Sequence, residues 1–367
     1  MKKRIGVVFG GRSSEHDVSL ASAELVIRSL DPQRYEIIPI AISRQGDWFW
    51  NIQPQQLREA GMEPQQLREA SMGPQQGIVS AQRLIRSQSI EPTSIEAIDV
   101  FFPVLHGPNG EDGTIQGLFE MANVPYVGCG VLASAIGMDK EMMKKLFQMA
   151  GLPVVASLTI KRRDWEQARE DILNRIEQHL PYPCFVKPAN LGSSIGVNKA
   201  RQREELLNAV EVAFTYDRKI VIEQGLDARE FCCAVVGNDE PVASVIGEIL
   251  PGSEFSDYDD KYLNHKIQFD IPASRLPAEQ AEEIRSMSLH AYRALDLNGL
   301  ARVDFFLDRA TGQPYINEVN TLPGFTETSS YPKLWAGSGL PFPQLLDRLI
   351  ELAIERYEER QRRRVDL

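Results

Sequence analysis

The 367-residue sequence predicts an α/β fold: an N-terminal doubly wound domain on a parallel sheet, then two further units with mostly antiparallel sheets. Three observations carry this. The apolar run Ile5-Gly-Val-Val-Phe9 breaks at Gly10-Gly11 and passes into a helical pattern over residues 18–30, which is how a doubly wound unit opens. Strand-like and helical patterns keep alternating up to about residue 129. In the C-terminal third, period-two runs follow one another closely, as paired antiparallel strands do.

The length allows two or three domains, and 43% apolar with 25% charged residues is ordinary for a globular chain. A formal net charge of -11 speaks against nucleic acid or an anionic membrane as the main partner, since both reward a basic face. An anionic substrate would need local Lys, Arg or metal. Cys129, Cys184, Cys232 and Cys233 show no C-x-x-C spacing, and neighbours on a strand point to opposite faces, so no disulfide framework or zinc site is expected. No run approaches transmembrane length, and the apolar run after Met1-Lys-Lys-Arg4 is short for a secretory signal. A cytoplasmic protein is expected.

In the first unit, residues 1–129, strands are predicted at 5–9, 36–42, 100–105 and 124–127, with helices at 18–30 and 114–122. The loops Gly10-Gly-Arg-Ser-Ser-Glu-His-Asp17 and His106-Gly-Pro-Asn-Gly-Glu-Asp-Gly113 follow strand C-terminal ends, where such folds gather ligands. Neither has the G-x-G-x-x-G dinucleotide spacing. Pro54-Gln-Gln-Leu-Arg-Glu-Ala60 recurs at 64–70 and starts again at Pro74. That is too few copies for a solenoid, so residues 51–80 or so form a polar surface insertion.

The second unit, 130–222, should hold helices at 139–150, 165–179 and 203–214, with strands at 154–160, 184–187, 196–198 and 220–223. The third, 223–367, should hold strands at 230–236 and 242–249, helices at 279–295 and 343–364, and a hairpin of 300–307 with 314–320. Residues 254–267 are polar and aperiodic, long enough for a lid.

The hairpin carries the chemistry. Ala301, Val303, Phe305 and Leu307 share one face, Arg302 and Asp304 the other, and Ile316, Glu318 and Asn320 fall together on the second arm. With Asp304 opposite Glu318, one face holds two carboxylates, an amide oxygen and a guanidinium. Oxygen ligands without His or Cys suit a hard cation such as Mg2+; solvated charges on a surface hairpin are the alternative. The Gly- and hydroxyl-rich loop 321–330 follows at once and could offer backbone N–H groups to an anion.

Gly192-Ser-Ser-Ile-Gly196 matches the G-x-S-x-G elbow of serine hydrolases, with Ser194 as nucleophile. Pro188 interrupts the approach, however, and a strand-like run follows where the elbow needs a helix. A flap whose N–H groups cover phosphates is the better reading, with an ordinary hairpin turn as the bland one. There is no Walker A motif, yet Lys140 at a helix start and Lys187 at a strand end are placed as phosphate ligands or as solvated charges. Glu15 fits a helix-capping role and a ligand role equally. Among the histidines only His106 sits at a strand end.

Taken together and in order, Gly10-Gly-Arg-Ser-Ser-Glu-His-Asp-Val-Ser19, His106-Gly107 with Gly110-Glu-Asp-Gly113, Met138-Asp-Lys140, Lys187-Pro188 with Gly192-Ser-Ser194, Arg302-Val-Asp304, and Asn317-Glu-Val-Asn320 with Pro323-Gly324 resemble the D-alanine–D-alanine ligases of the ATP-grasp superfamily. The resemblance spans the chain apart from the insertion. It implies an N-terminal domain followed by a two-part ATP-grasp fold, with ATP and two Mg2+ ions (Mn2+ substituting) as cofactors. Lys140 and Lys187 would hold ATP phosphates under the flap of Ser193 and Ser194. Glu223, Gln224 and Leu226 would read adenine, with Gln224 replacing a common Lys, and Glu230 would take the ribose.

Asp304, Glu318 and Asn320 would bind the metals. Glu15, with His106 nearby, would receive the first D-alanine, and Ser329 and Lys261 the second, with Lys261 also among the residues that would bind ATP. Arg302 and the Gly324 amide would face the oxyanion. Glu15, Ser193 and Tyr262 would latch the lid. The implied product is D-alanyl-D-alanine for peptidoglycan, made by a homodimer. A D-alanine–D-lactate ligase and a nucleotide-binding regulator without turnover are the competing readings.

Overall fold

The computed structural model describes residues 2–59, 98–250 and 268–362. In the first sheet, β1 (Lys3–Gly10) runs parallel to β2 (Tyr35–Ile42) on one side and β4 (Val100–Pro103) on the other, and β3 (Trp48–Trp50) pairs antiparallel with β2. Ile5, Val7 and Phe9 pack under α1 (His16–Ser29), and Val8 packs towards α3 (Thr114–Met121), so the strand is buried on both faces. The expected strand at 124–127 is a single bridge, Phe101 to Tyr126. Of the repeat, only α2 (Pro54–Glu59) falls within the described residues.

The β1–α1 turn depends on Gly10. Its φ is +87°, and a Cβ there would stand 2.2 Å from the Ile42 carbonyl oxygen, which accepts from Gly11 N at 2.8 Å. Only glycine tolerates that approach.

After Gly130 come α4 (Val131–Met138), which the sequence pattern did not announce, and α5 (Lys140–Met149). Asp139 caps α5, accepting from the amides of Glu141 and Met142 at 3.1 and 3.2 Å. The same carboxylate receives Lys219 Nζ at 2.6 Å, which ties the start of α5 to the second sheet. That sheet is antiparallel throughout, in the order β5 (Ser157–Lys161), β8 (Lys219–Gln224), β6 (Cys184–Pro188), β7 (Asn198–Ala200). The helix expected over 165–179 is two, α6 (Arg162–Gln167) and α7 (Arg169–His179), because Ala168 leaves helical backbone angles at φ −141°, ψ 46°. With α8 (Arg203–Tyr216), α7 covers this sheet in a core of its own.

The third sheet runs β11 (Gln268–Asp270), β10 (Val242–Leu250), β9 (Ala228–Gly237), β12 (Gly299–Asp308), β13 (Pro314–Asn320). One face packs on α4, α5 and α9 (Ala278–Ala294). The other joins the N-terminal sheet, α10 (Ser330–Gly337) and α11 (Phe342–Gln361) in one continuous core. Leu345, Leu346, Leu349 and Ile350 of α11 are fully buried there, each contributing roughly 1.5–3 kcal/mol. Cys232 belongs to the second of these cores and Cys233 to the first, as neighbours on a strand should, and all four cysteines are free and buried.

The hairpin has the expected register at its centre, Asp304 opposite Glu318 and Arg302 opposite Asn320. The next pair is Phe305 with Ile316, so Asn317 is an extra residue on β13. That bulge corrects one expectation. Ile316 does not share a face with Glu318 and Asn320 but turns into the core with Phe305 and Val319, because one inserted residue breaks the period of two.

Candidate active site

Along β12 one face changes character in three steps. Leu300 lies in the core against the N-terminal sheet, while Arg302, Asp304 and Phe306 line a cleft between the three sheets. Arg302 donates from Nε and Nη2 to the two oxygens of Asp304, both at 2.7 Å. Burial works against the guanidinium charge, but Asp304 outweighs it and raises the Arg302 pKa further. Lys140 Nζ sits 3.5 Å from Glu318 and donates to the Leu191 carbonyl at 2.8 Å, so it spans from the hairpin to the root of the flap. Asn320 Oδ1 accepts from Leu322 N at 3.0 Å.

These three side chains fit a hard cation. Asp304, Glu318 and Asn320 offer only oxygen on one face of one hairpin. Among the described residues no three His, Cys, Asp or Glu cluster as a metal site. A cation here would rest on the carboxylates of Asp304 and Glu318, the amide oxygen of Asn320 and ligand oxygens, the incomplete protein shell that suits Mg2+.

Deeper in the same cleft, Lys187 Nζ donates to Glu223 Oε2 at 2.7 Å, and Lys144 Nζ lies 3.0 Å from Oε1. Burial alone would push the Glu223 pKa up, yet Lys144 and Lys187 pull it down to about 2. Gln224, Leu226 and Glu230 line the cleft beside them, together with Ser194. The flap itself is strained into shape: Ser193, Ser194 and Gly196 all have positive φ. No helix follows it directly, which removes the hydrolase elbow.

At the N-terminal side, Glu15 precedes α1 but does not cap it with its side chain. Its Oε1 instead accepts from Ser193 Oγ across the cleft, so the flap and the first domain touch there. His106 is buried beside it, with Nδ1 3.6 Å from Glu111 Oε1 and Nε2 3.3 Å from Ser22 Oγ. Burial lowers the His106 pKa, but Glu111 and Glu15 outweigh it, leaving the imidazole easier to protonate than usual. Ser329 and Gly324 complete this side, where Ser329 Oγ accepts from Thr326 N at 3.0 Å.

The cleft is therefore one continuous site. Its two lobes share Lys140, Gly192, Ser193, Glu230, Asn317 and Glu318. Residues 4–129 match the family model described as D-ala D-ala ligase N-terminus, and residues 146–351 match D-ala D-ala ligase C-terminus.

The chain belongs to the D-alanine–D-alanine ligase family.

It is 50% identical over 361 residues to a D-alanine–D-alanine ligase of Geobacillus thermodenitrificans, covering 98% of each chain. Among solved structures it is similar to the D-alanine-D-alanine ligase from Coxiella burnetii, at 34% identity and a TM-score of 0.80, covering 98% of this chain and 97% of that one. It is also similar to the VanG D-Ala:D-Ser ligase from Enterococcus faecalis, at 39% identity and a TM-score of 0.82, covering 96% and 100%.

Against this family frame, the cleft collects every residue singled out from the sequence that the structure describes. Lys261 and Tyr262, with the expected lid, lie outside the described residues. Two residues were not singled out. Glu111 faces His106 from within a glycine-rich loop, and Lys144 lies in a charged helical run, Lys140-Glu-Met-Met-Lys-Lys145, that reads as a solvated face. The spacing of Lys140 and Lys144 by four was the one available signal, since it puts both on one side of α5.

Proposed function

We propose that this chain joins two D-alanines into D-alanyl-D-alanine with ATP as the energy source, supplying a peptidoglycan precursor. The observation that carries it is the face-to-face pair Asp304 and Glu318, with Lys140 at 3.5 Å from Glu318 and with Glu15 and Ser193 in contact across the same cleft. A carboxylate is a poor electrophile, so the first D-alanine is activated by transfer of the terminal phosphoryl group to its carboxylate. The amine of the second attacks the acyl phosphate, a tetrahedral intermediate forms, and phosphate leaves. Such chemistry needs positioning and charge neutralisation more than covalent help.

Lys140 and Lys187 hold the phosphates, and Ser193 and Ser194 fold the flap over them. Glu223, Gln224 and Leu226 meet the base and Glu230 the ribose. Glu15 takes the ammonium of the first D-alanine, near His106, while Ser329 and Lys261 take the carboxylate of the second. Arg302 and the Gly324 amide face the oxyanion, donors that in other acyl transfers are worth roughly 2.7–4 kcal/mol each. Asp304, Glu318 and Asn320 would hold Mg2+, or Mn2+ in its place, which supplies charge neutralisation at the phosphates. Tyr262 would join Glu15 and Ser193 in the latch. We take the N-terminal unit as 1–129, the ATP-grasp parts as 130–222 and 223–367, the setting as cytoplasmic and the assembly as a homodimer. Among the described residues no helix is long and apolar enough to cross a membrane.

The test is ADP release with Mg2+ and D-alanine alone, beside D-alanine with D-lactate or D-serine. D-alanine alone should suffice and yield one dipeptide per ADP. A requirement for D-lactate or D-serine, or nucleotide binding without turnover, would overturn the proposal.

A further inference from the structure

Glu223 has two ammonium groups, and only one of them belongs to the cleft. Glu223 and Lys187 line its inner lobe, whereas Lys144 lines neither lobe. Lys144 and Glu223 are each 3% exposed, so both charges are out of water. Lys144 Nζ approaches Glu223 Oε1 to 3.0 Å but makes no aligned hydrogen bond among the described residues. Burial works against the Lys144 charge and Glu223 supports it; what the side chain supplies is positive charge immediately behind the carboxylate.

The second ammonium matters when a nucleotide enters. Lys187 donates to Glu223 at 2.7 Å. A phosphate entering the cleft would compete with that carboxylate for the Lys187 ammonium, and drawing one partner of a buried pair away strands the other. A Glu223 paired with Lys187 alone would hold the lysine back. With Lys144 in place, the cluster of one carboxylate and two ammonium groups carries a net positive charge, which complements an incoming phosphate and lets Lys187 go. The geometry of α5 fits this task. Lys140, one helical turn earlier, reaches Glu318 and the Leu191 carbonyl, so one helix sets one ammonium against the hairpin and another behind Glu223.

We propose that Lys144 is a positioning residue for nucleotide binding: it holds Glu223 ionised and fixed while Lys187 turns from Glu223 to the phosphates. This rests on the ATP-dependent reading above. Lys144 acts only through Glu223 and touches no reacting atom.

The experiment compares wild type, Lys144→Met, Lys144→Arg, Glu223→Gln and the double variant Lys144→Met with Glu223→Gln, in the ADP-release assay and in calorimetric titration with Mg-ADP. Lys144→Met, of similar length without charge, should raise KM for ATP and Kd for Mg-ADP at least tenfold. KM for D-alanine should stay within twofold and kcat at saturating ATP within threefold. Lys144→Arg should recover nucleotide affinity to within threefold of wild type. The double variant should bind Mg-ADP no worse than Glu223→Gln alone, because without the carboxylate there is nothing left for Lys144 to hold.

Unchanged nucleotide affinity in Lys144→Met would overturn the inference. So would equal losses for both substrates, multiplying losses in the double variant, or failure of both single lysine variants to fold. Wild type that binds Mg-ADP but releases no ADP with D-alanine would overturn the proposed function instead, and the titrations would still decide the role of Lys144.

Discussion

Replacing Asp304 by Asn keeps the volume at the centre of the hairpin and removes the charge. In the native arrangement both carboxylate oxygens accept from Arg302 at 2.7 Å. Asparagine keeps one of these bonds, while its NH2 group meets a guanidinium N–H, donor against donor. Losing a charge-assisted hydrogen bond costs about 1.5–3 kcal/mol. Breaking a buried pair outright costs about 3–5 kcal/mol, but Glu318 stands in register with Asp304 and still offers Arg302 a negative field. The lower range therefore applies. Denaturant unfolding of Asp304→Asn should show a loss of about 2 kcal/mol with the slope unchanged.

Turnover should fall much further, on the order of 10²-fold or more in ADP release, because the charge that would face a metal is gone at the point where phosphoryl transfer needs it. A variant that loses the stability but turns over within threefold of wild type would mean that Asp304 only props Arg302. A variant with unchanged stability would refute the energetic weight given to the fork.

Ser193→Ala removes the hydroxyl that bridges to Glu15, and the loss of a bond to a charged acceptor should weaken flap closure by about tenfold or more, seen as a higher KM for D-alanine and more ADP released per dipeptide. Unchanged coupling would contradict it. Gly107→Ala would place a Cβ 2.6 Å from Glu15 Oε2 at a φ of +73°, so KM for D-alanine should rise while KM for ATP stays within about twofold. Equal changes in both would point to a fold defect. Glu223 titrates at about 2 in the fold instead of near 4.5, so its ionised form adds stability that is complete above about pH 4.5 and lost as pH falls towards 2. The shift corresponds to roughly 3 kcal/mol, and Glu223→Gln should flatten this part of the acid-unfolding curve. An identical acid transition in both proteins would refute that assignment.

Much of the fold was legible because its signals are local. The Gly10-Gly11 break and the alternation along 300–307 each act within one element. The alternation on β12 gave the face of Arg302 and Asp304 but left the pairing of Asp304 with Glu318 as a condition, which the strand pairing meets. The bulge at Asn317 was not legible, since nothing in Pro314-Tyr-Ile-Asn-Glu-Val-Asn320 marks which residue will be extra; packing of both Ile316 and Val319 decides it. Helix α4 was missed because Val131-Leu-Ala-Ser-Ala-Ile-Gly-Met138 lacks a polar face and a capping side chain. Within the site, Lys140 and Lys187 stood out beside motifs. Lys144 did not, because burial of a lysine is a tertiary fact: α5 must first be laid against β8 before Glu223 can meet it. Glu15 was open between capping and ligand roles, and only the approach of Ser193 from 178 residues away directs it across the cleft.

The claim on which the account turns is that the β12–β13 face holds a metal–nucleotide complex. Crystals grown with Mn2+ and ADP, measured at a wavelength where manganese scatters anomalously, test it directly. The account predicts anomalous peaks within coordination distance of Asp304, Glu318 and Asn320, with Lys140 and Lys187 on the phosphates. Manganese bound elsewhere, with the nucleotide in the cleft and these three side chains untouched, would contradict it.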